Sequence, residues 1–195
     1  MTYNHKKTFR RYLTLGILFF LFFPTIAWSS SAQEMFFLSF GSGKTEVRLY
    51  TDYFCGPCSN LEPKIGHLVT DLVKRHIITI TFVDAPFHTY SSLYAKYFLY
   101  ILNEKKEIKC ALKARAILFT GAKDNIFEQE KLEVFLGKQG LTFKAFDTQP
   151  VFSVLQNYLR EDRITSTPTC VISNGKNKEV VGGTEDIVKA LKKLK

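Results

Sequence analysis

The sequence predicts an α/β fold in which a central mixed sheet is flanked by helices and interrupted by an all-helical insertion. Residues 46–83 alternate strand, helix and strand, and residues 89–163 have helical periodicity almost throughout. Residues 164–195 return to the strand period and end in a helix. With 195 residues, 46% of them hydrophobic, the chain is long enough for one core but too short for two.

The first part is predicted to form a β-α-β unit. Residues 46–51 alternate apolar and polar side chains as a strand does, whereas residues 61–75 carry apolar side chains at helical spacing. Residues 77–83 are rich in β-branched side chains, which indicates a buried strand parallel to the first.

The helical insertion is predicted to contain three or four helices. Its periodicity breaks at residues 120–121, 137–140 and 149–150. After it, residues 169–173 and 178–181 are predicted to pair as a hairpin around the turn 174–177. Gly182 and Gly183 then precede Thr184, which we expect to cap the last helix.

Residues 1–32 are predicted to be a secretory signal peptide. Four basic residues precede an apolar run over residues 13–28, and small residues follow, with cleavage expected after Ala32. A membrane anchor is the alternative, although Pro24 interrupts the run and a bilayer span needs about 20 apolar residues. We therefore expect a periplasmic or otherwise exported protein whose folded domain spans residues 33–195.

The charge balance argues against nucleic-acid binding. The signal segment holds four basic residues and no acidic one, so its removal lowers the formal net charge from +9 to +5. A modest positive charge of this size is typical of a solvated surface. We expect a monomer with no nucleic-acid partner.

Two of the four cysteines form the motif Cys55-Gly56-Pro57-Cys58 at the start of the first predicted helix. Free backbone N–H groups and the positive end of the helix dipole stabilise a thiolate there. Cys55 is therefore predicted to be the nucleophile. Cys58 lies one turn further along, where it can reach Cys55 while shielded from solvent, so it is predicted to be the resolving thiol.

The order of these parts resembles the DsbA-like branch of the thioredoxin superfamily over residues 33–195. The likeness is carried by Tyr50 to Cys58, Val83 to Phe87, the helical insertion and Thr167 to Thr169. It implies a thioredoxin-like fold and a thiol-disulfide oxidoreductase that acts on exported proteins. It also implies a redox partner in the membrane, and no cofactor, because the electrons reside in the cysteine pair.

The resemblance also assigns site residues and leaves the direction of electron flow open. It implies a cis peptide bond before Pro168, with Thr167 presenting its backbone to a substrate chain. The dipeptide Gly56-Pro57 is that of thioredoxins and differs from the Pro-His of strongly oxidising DsbA proteins. We therefore expect a reducing or isomerising direction.

Two other function classes are compatible with the sequence. The cysteine pair could carry copper or zinc, although no third or fourth ligand is evident in the sequence. Alternatively, the protein could be a redox-inactive binding or chaperone module, which would leave the intact pair unexplained.

Four further residues have two interpretations each. Asp52, three residues before Cys55, is a candidate for proton transfer or a solvated turn residue. His88 is expected in a surface loop, with an approach to the active site as the alternative. Cys170 is expected to face the core as a small apolar side chain. A disulfide between Cys170 and Cys110 is the alternative, because the compartment is oxidising and the number of cysteines is even.

One helical face of the insertion is aromatic. Tyr90, Tyr94, Tyr97 and Ile101 recur at helical spacing. We expect this face to pack the insertion against the sheet rather than to form a peptide-binding surface.

Overall fold

The computed structural model describes residues 38–194, so the predicted signal peptide and the first residues of the predicted domain lie outside the described part of the chain. Within that part, no helix has the length and hydropathy needed to cross a membrane.

The described residues contain one mixed sheet of five strands. Strands β2 and β3 are parallel, as predicted, and every other pairing in the sheet is antiparallel. The spatial order is β1-β3-β2-β4-β5. The bounds are β1 (Ser39–Gly41), β2 (Thr45–Thr51), β3 (Ile78–Asp84), β4 (Thr169–Ser173) and β5 (Lys178–Gly182). Strand β1 lacks a sequence prediction because three residues are too few to show a period.

Four helices lie between β3 and β4, within the predicted insertion, and one helix lies on either side of this block. The bounds are α1 (Gly56–Lys74), α2 (Ser91–Glu104), α3 (Ile108–Lys123), α4 (Gln129–Lys138), α5 (Gln149–Glu161) and α6 (Thr184–Lys192). Helix α1 begins five residues before its apolar stripe, because Cys55 caps it and Pro57 occupies its first turn.

The predicted cap of α6 is wrong. Gly183 is the N-cap, with φ 84°, a conformation that favours glycine, and Thr184 is the first helical residue. The Thr184 hydroxyl instead donates a hydrogen bond to the Pro57 carbonyl at 2.9 Å. Helix α6 is thereby attached to the turn that carries the cysteine pair.

The aromatic face of α2 follows the prediction at three of its four positions. Tyr94, Tyr97 and Ile101 are buried in the core. Tyr90 departs from it, because it is the N-cap residue of α2 and its side chain is 43% exposed. The prediction that all four residues pack against the sheet is therefore wrong for Tyr90.

The far end of the insertion is attached to the sheet through Asp162, whose side chain is buried just beyond α5. It accepts a hydrogen bond from the Tyr50 hydroxyl and pairs with Arg48 at 3.1 Å and Lys178 at 2.5 Å. Since Arg48 and Tyr50 belong to β2, these contacts fix the return of the chain towards β4 beside the strand that precedes the cysteines.

Candidate active site

The two cysteines occupy different environments at the start of α1. Cys55 is the N-cap residue, and its Sγ accepts a hydrogen bond from the Cys58 N–H at 3.3 Å. Both thiols are free, and the two sulfurs are 2.7 Å apart. Cys55 is 7% exposed to solvent, whereas Cys58 is fully buried, so only Cys55 can be reached from solvent.

These environments move the two pKa values in opposite directions. The hydrogen bond from the Cys58 thiol lowers the pKa of Cys55 from 9.0 to about 6, against burial and the nearby Asp52 charge, which raise it. Contacts with Thr167 and the Cys58 backbone contribute to this lowering, and the value of about 6 is the net result of all these effects. The pKa of Cys58 is raised, because Cys58 donates that hydrogen bond as a thiol and is buried. At neutral pH the pair therefore consists of a thiolate at Cys55 and a thiol at Cys58.

The loop before β4 lies against the pair. The Thr167–Pro168 peptide bond is cis, which confirms that expectation from the sequence. The Thr167 carbonyl oxygen lies 3.3 Å from the Cys55 Sγ, and Pro168 is buried behind it. The Pro168 carbonyl accepts a hydrogen bond from Gly183 at 3.1 Å, so this loop and the start of α6 are held together.

Asp52 is buried, and its interpretation as a solvated turn residue is wrong. Its carboxylate accepts hydrogen bonds from the backbone of Phe54, Phe87 and His88 and from the Ser91 hydroxyl, at 2.6–3.1 Å. The main-chain carbonyl of Asp52 also accepts a hydrogen bond from the Cys55 N–H at 3.1 Å. Asp52 thus connects the end of β2, the loop after β3 and the start of α2 directly beside the nucleophile.

His88 is a surface residue, as expected, and it also contacts this network. Its side chain is 53% exposed, and its Nδ1 lies 3.0 Å from an Asp52 carboxylate oxygen. The structure therefore places His88 next to Asp52 without burying it.

A buried ionic cluster beneath the pair went unpredicted. Arg115 on α3 is fully buried and makes two hydrogen bonds of 2.9 Å to the Glu62 carboxylate on α1. It also donates to the Thr51 hydroxyl at 2.8 Å and lies 3.5 Å from Asp84. One sequence signal was available, since Glu62 shares the apolar stripe of α1 three residues before Ile65.

The cluster contains two carboxylates and one guanidinium. Burial raises the pKa of Asp84 from 3.8 to about 7; Arg115 opposes the rise, and Glu62 and Asp52 add to it. Asp84 therefore binds a proton in the acidic range, where an ordinary aspartate has lost it.

The two remaining cysteines stay apart as free thiols. Cys170 is fully buried in β4, which confirms that it faces the core, and burial raises its pKa to about 12. Cys110 is half-buried on α3 and does not pair with Cys170 in this structure. In the part of the chain that the structure describes, no three His, Cys, Asp or Glu side chains are grouped so as to hold a metal ion.

The lowered pKa of Cys55 predicts how the thiols react with iodoacetamide. In the reduced protein, alkylation of Cys55 should rise with a midpoint near pH 6, because the thiolate is the nucleophile. Peptide mapping by mass spectrometry should find Cys58 and Cys170 unmodified at pH 7. Cys55→Ser should abolish the fast reaction and Cys110→Ser should keep it; a midpoint near pH 9 would contradict the assignment.

The raised pKa of Asp84 predicts a particular pH dependence of stability. Between about pH 4 and 7 the native protein keeps a proton on Asp84 that the unfolded chain has released. The contribution of Asp84 is therefore greatest below pH 4 and is lost as the pH rises through 7.

Asp84→Asn should remove this loss. The free energy of unfolding of the reduced protein is measured with urea at several pH values. Between about pH 4 and 7, the value for the variant minus that for wild type should increase by roughly 1.4 kcal/mol per pH unit. Asp71→Asn, which removes an exposed carboxylate on α1, is the matched control and should keep the wild-type pH profile. Parallel profiles for wild type and Asp84→Asn would show that Asp84 is ionised throughout.

Comparisons with known proteins place this site in a family. The family model described as Thioredoxin matches residues 40–193, and no curated protein sequence matches the chain. A periplasmic thioredoxin-like protein from Salmonella enterica serovar Typhimurium is similar at 19% identity and TM-score 0.60, over 84% of this chain and 94% of that one.

Two further solved structures have the same fold. Wolbachia pipientis alpha-DsbA1 aligns at 14% identity and TM-score 0.61, over 80% of this chain and 89% of its own. The catalytic domain of Proteus mirabilis ScsC aligns at 19% identity and TM-score 0.59, over 83% of this chain and 96% of that domain. Because the family match takes in both the capped cysteine pair and the cis-proline loop, this chain belongs to the thioredoxin superfamily, with the fold of its DsbA-like branch.

Proposed function

We propose that the protein is a thiol-disulfide oxidoreductase that exchanges disulfides with exported proteins through Cys55 and Cys58. The observation that carries this proposal is the asymmetry of two sulfurs only 2.7 Å apart. One is accessible with a pKa of about 6, and the other is buried with a raised pKa. Disulfide exchange needs one thiolate to attack and a second thiol to resolve.

In the reducing direction, the reaction has two displacements. The Cys55 thiolate attacks a substrate disulfide, which breaks the substrate S–S bond, forms a mixed disulfide and releases one substrate thiolate. Cys58 then loses its proton and attacks the Cys55 sulfur, which forms the Cys55–Cys58 disulfide and releases the second substrate thiolate. Two electrons pass from the pair to the substrate, whose two sulfurs take up protons. The reverse sequence oxidises a dithiol.

The neighbouring residues have supporting roles in this proposal. Pro168 holds the loop against the pair, and Thr167 offers backbone groups to the substrate chain beside the Cys55 sulfur, which lies 3.3 Å from its carbonyl oxygen. Asp52 is the proposed proton-transfer residue. The charge of its buried carboxylate raises the pKa of Cys55, which supports a position close to the reacting sulfurs.

The proposed cellular setting is export, with electrons supplied by a partner in the membrane. The periplasmic location stated for the Salmonella relative supports export. A supply of electrons is needed because each reduction leaves Cys55 and Cys58 oxidised.

Substitution of either cysteine tests the division of roles. Cys58→Ala should accumulate mixed disulfides with exported proteins, because the second displacement is blocked after Cys55 has attacked. Cys55→Ala should trap far fewer and lose activity. Non-reducing electrophoresis with mass spectrometry measures both, and Cys110→Ser is the control, expected to behave like wild type. The opposite trapping pattern would exchange the two roles.

The direction of electron flow is tested by the reduction potential. Gly56 and Pro57 carry no charge and no side-chain donor, and the pKa of Cys55, about 6, lies well above the ~3.5 of DsbA. A less favoured thiolate makes the disulfide harder to reduce. Equilibration with glutathione buffers should therefore give a midpoint below about −180 mV, on a scale where DsbA lies near −120 mV. A midpoint near −120 mV would make the protein an oxidant.

A further inference from the structure

His88 contacts the buried Asp52 carboxylate from the solvent side. Its Nδ1 lies 3.0 Å from one carboxylate oxygen, and its side chain is 53% exposed, whereas the Asp52 side chain is fully buried. The other donors to this carboxylate are the Ser91 hydroxyl and the backbone N–H groups of Phe54, Phe87 and His88. Among the described residues that contact the carboxylate, only His88 has a side chain that can change its charge.

The contacts of Asp52 indicate an ionised carboxylate. All four of its hydrogen bonds are donated to the carboxylate oxygens, and such a set of donors favours the charged form of a carboxyl group. This negative charge raises the pKa of Cys55 and thereby favours the thiol. Asp52 thus opposes the thiolate on which disulfide exchange depends.

Protonation of His88 should weaken this opposition. An imidazole side chain gains a positive charge as the pH falls from about 8 to 5. An imidazolium 3.0 Å from the Asp52 carboxylate offsets much of its negative charge, so the thiolate at Cys55 becomes more favourable. Because His88 is half exposed and partly screened by water, we expect a change of about threefold in the thiol–thiolate equilibrium.

Resting on the proposed function, we propose that His88 is a positioning residue that acts through Asp52, offsetting its charge in acid and so preserving the Cys55 thiolate below neutral pH. With a pKa of about 6, Cys55 is mostly a thiol at about pH 5. The rate of disulfide exchange there is set by the remaining thiolate, so the charge at position 88 has its greatest effect in acid.

Other titratable groups surround this network and also respond to pH. They come from the end of β2 and from α1, β3, α2 and α3: Tyr53, Glu62, Asp84, Tyr90, Arg115 and Lys123. Asp84 changes its charge near pH 7, within electrostatic reach of Asp52. All of these groups are kept when His88 is replaced, so differences among variants of His88 report the charge at that position.

Two variants separate the charge of His88 from its contact. His88→Gln keeps a side-chain donor beside Asp52 but cannot become positive, whereas His88→Lys stays positive between about pH 5 and 8. The rate constant for alkylation of Cys55 by iodoacetamide, an uncharged reagent, is measured on the reduced proteins across this range, with Cys55→Ser as the blank. At about pH 5, His88→Gln should react about three times more slowly than wild type, and His88→Lys at least as fast as wild type. At about pH 8 all three rates should agree, because Cys55 is then ionised in each protein.

The matched control is His67→Gln. His67 is an exposed histidine of α1, about 18 Å along the helix axis from Cys55, and its replacement should leave the wild-type rates unchanged at every pH. Equal rates for wild type and His88→Gln in acid would overturn the proposal. A loss in His88→Lys as large as that in His88→Gln would also overturn it, because the contact of the imidazole, and not its charge, would then be what matters.

A second readout keeps this inference apart from the proposed function. Oxidation of the same reduced proteins by the disulfide of mercaptoethanol, which is also uncharged, should show the same threefold difference at about pH 5. Reaction of wild type without this difference would overturn the role of His88 alone. Failure of wild type to react with this disulfide at any pH would overturn the proposed function, and with it the role of His88 in exchange, even if the alkylation rates followed the charge at position 88.

Discussion

Arg115 reaches from the helical insertion to the layer of residues directly beneath the cysteine pair. A buried guanidinium costs several kcal/mol unless it is paired and hydrogen-bonded. Here the cost is offset by Glu62 in a two-bond geometry, by the Thr51 hydroxyl and by Asp84, while the rings of Phe82 and Phe119 lie 4.6 and 5.6 Å away. Removing Arg115 would leave the buried Glu62 carboxylate without its ion-pair partner, which is strongly destabilising, so this contact stabilises the packing of the insertion on α1.

Each partner of Arg115 lies next to a residue that shapes the site. Glu62 is one helical turn after Cys58, and Thr51 immediately precedes Asp52. Asp84 ends β3, just before the loop whose backbone N–H groups bind the Asp52 carboxylate. A residue more than fifty positions along the chain is therefore bonded both to the end of β2 and to α1, on either side of the cysteine pair.

The parts of the protein that could be predicted from sequence are those specified locally. The β-α-β unit and the capped Cys55 depend on periodicity and helix-end chemistry within about thirty residues. Arg115 could not be predicted, because its partners come from three other elements and single charges carry no periodic signal. The cap at Gly183 could not be predicted for a similar reason. The Thr184 hydroxyl donates its hydrogen bond to the Pro57 carbonyl, and local sequence does not indicate a contact between residues so far apart in the chain.

The reactivity of Cys55 is a balance between local and tertiary effects. The Cys58 thiol and N–H lower the pKa of Cys55 because both belong to the first turn of the same helix. Partial burial and the Asp52 charge raise it, and Asp52 is held there by the loop after β3 and by Ser91. The resulting pKa of about 6 keeps Cys55 ionised at neutral pH without the loss of nucleophilicity that accompanies a much lower value. The network that fixes the geometry of the site thus also limits how strongly the thiolate is stabilised.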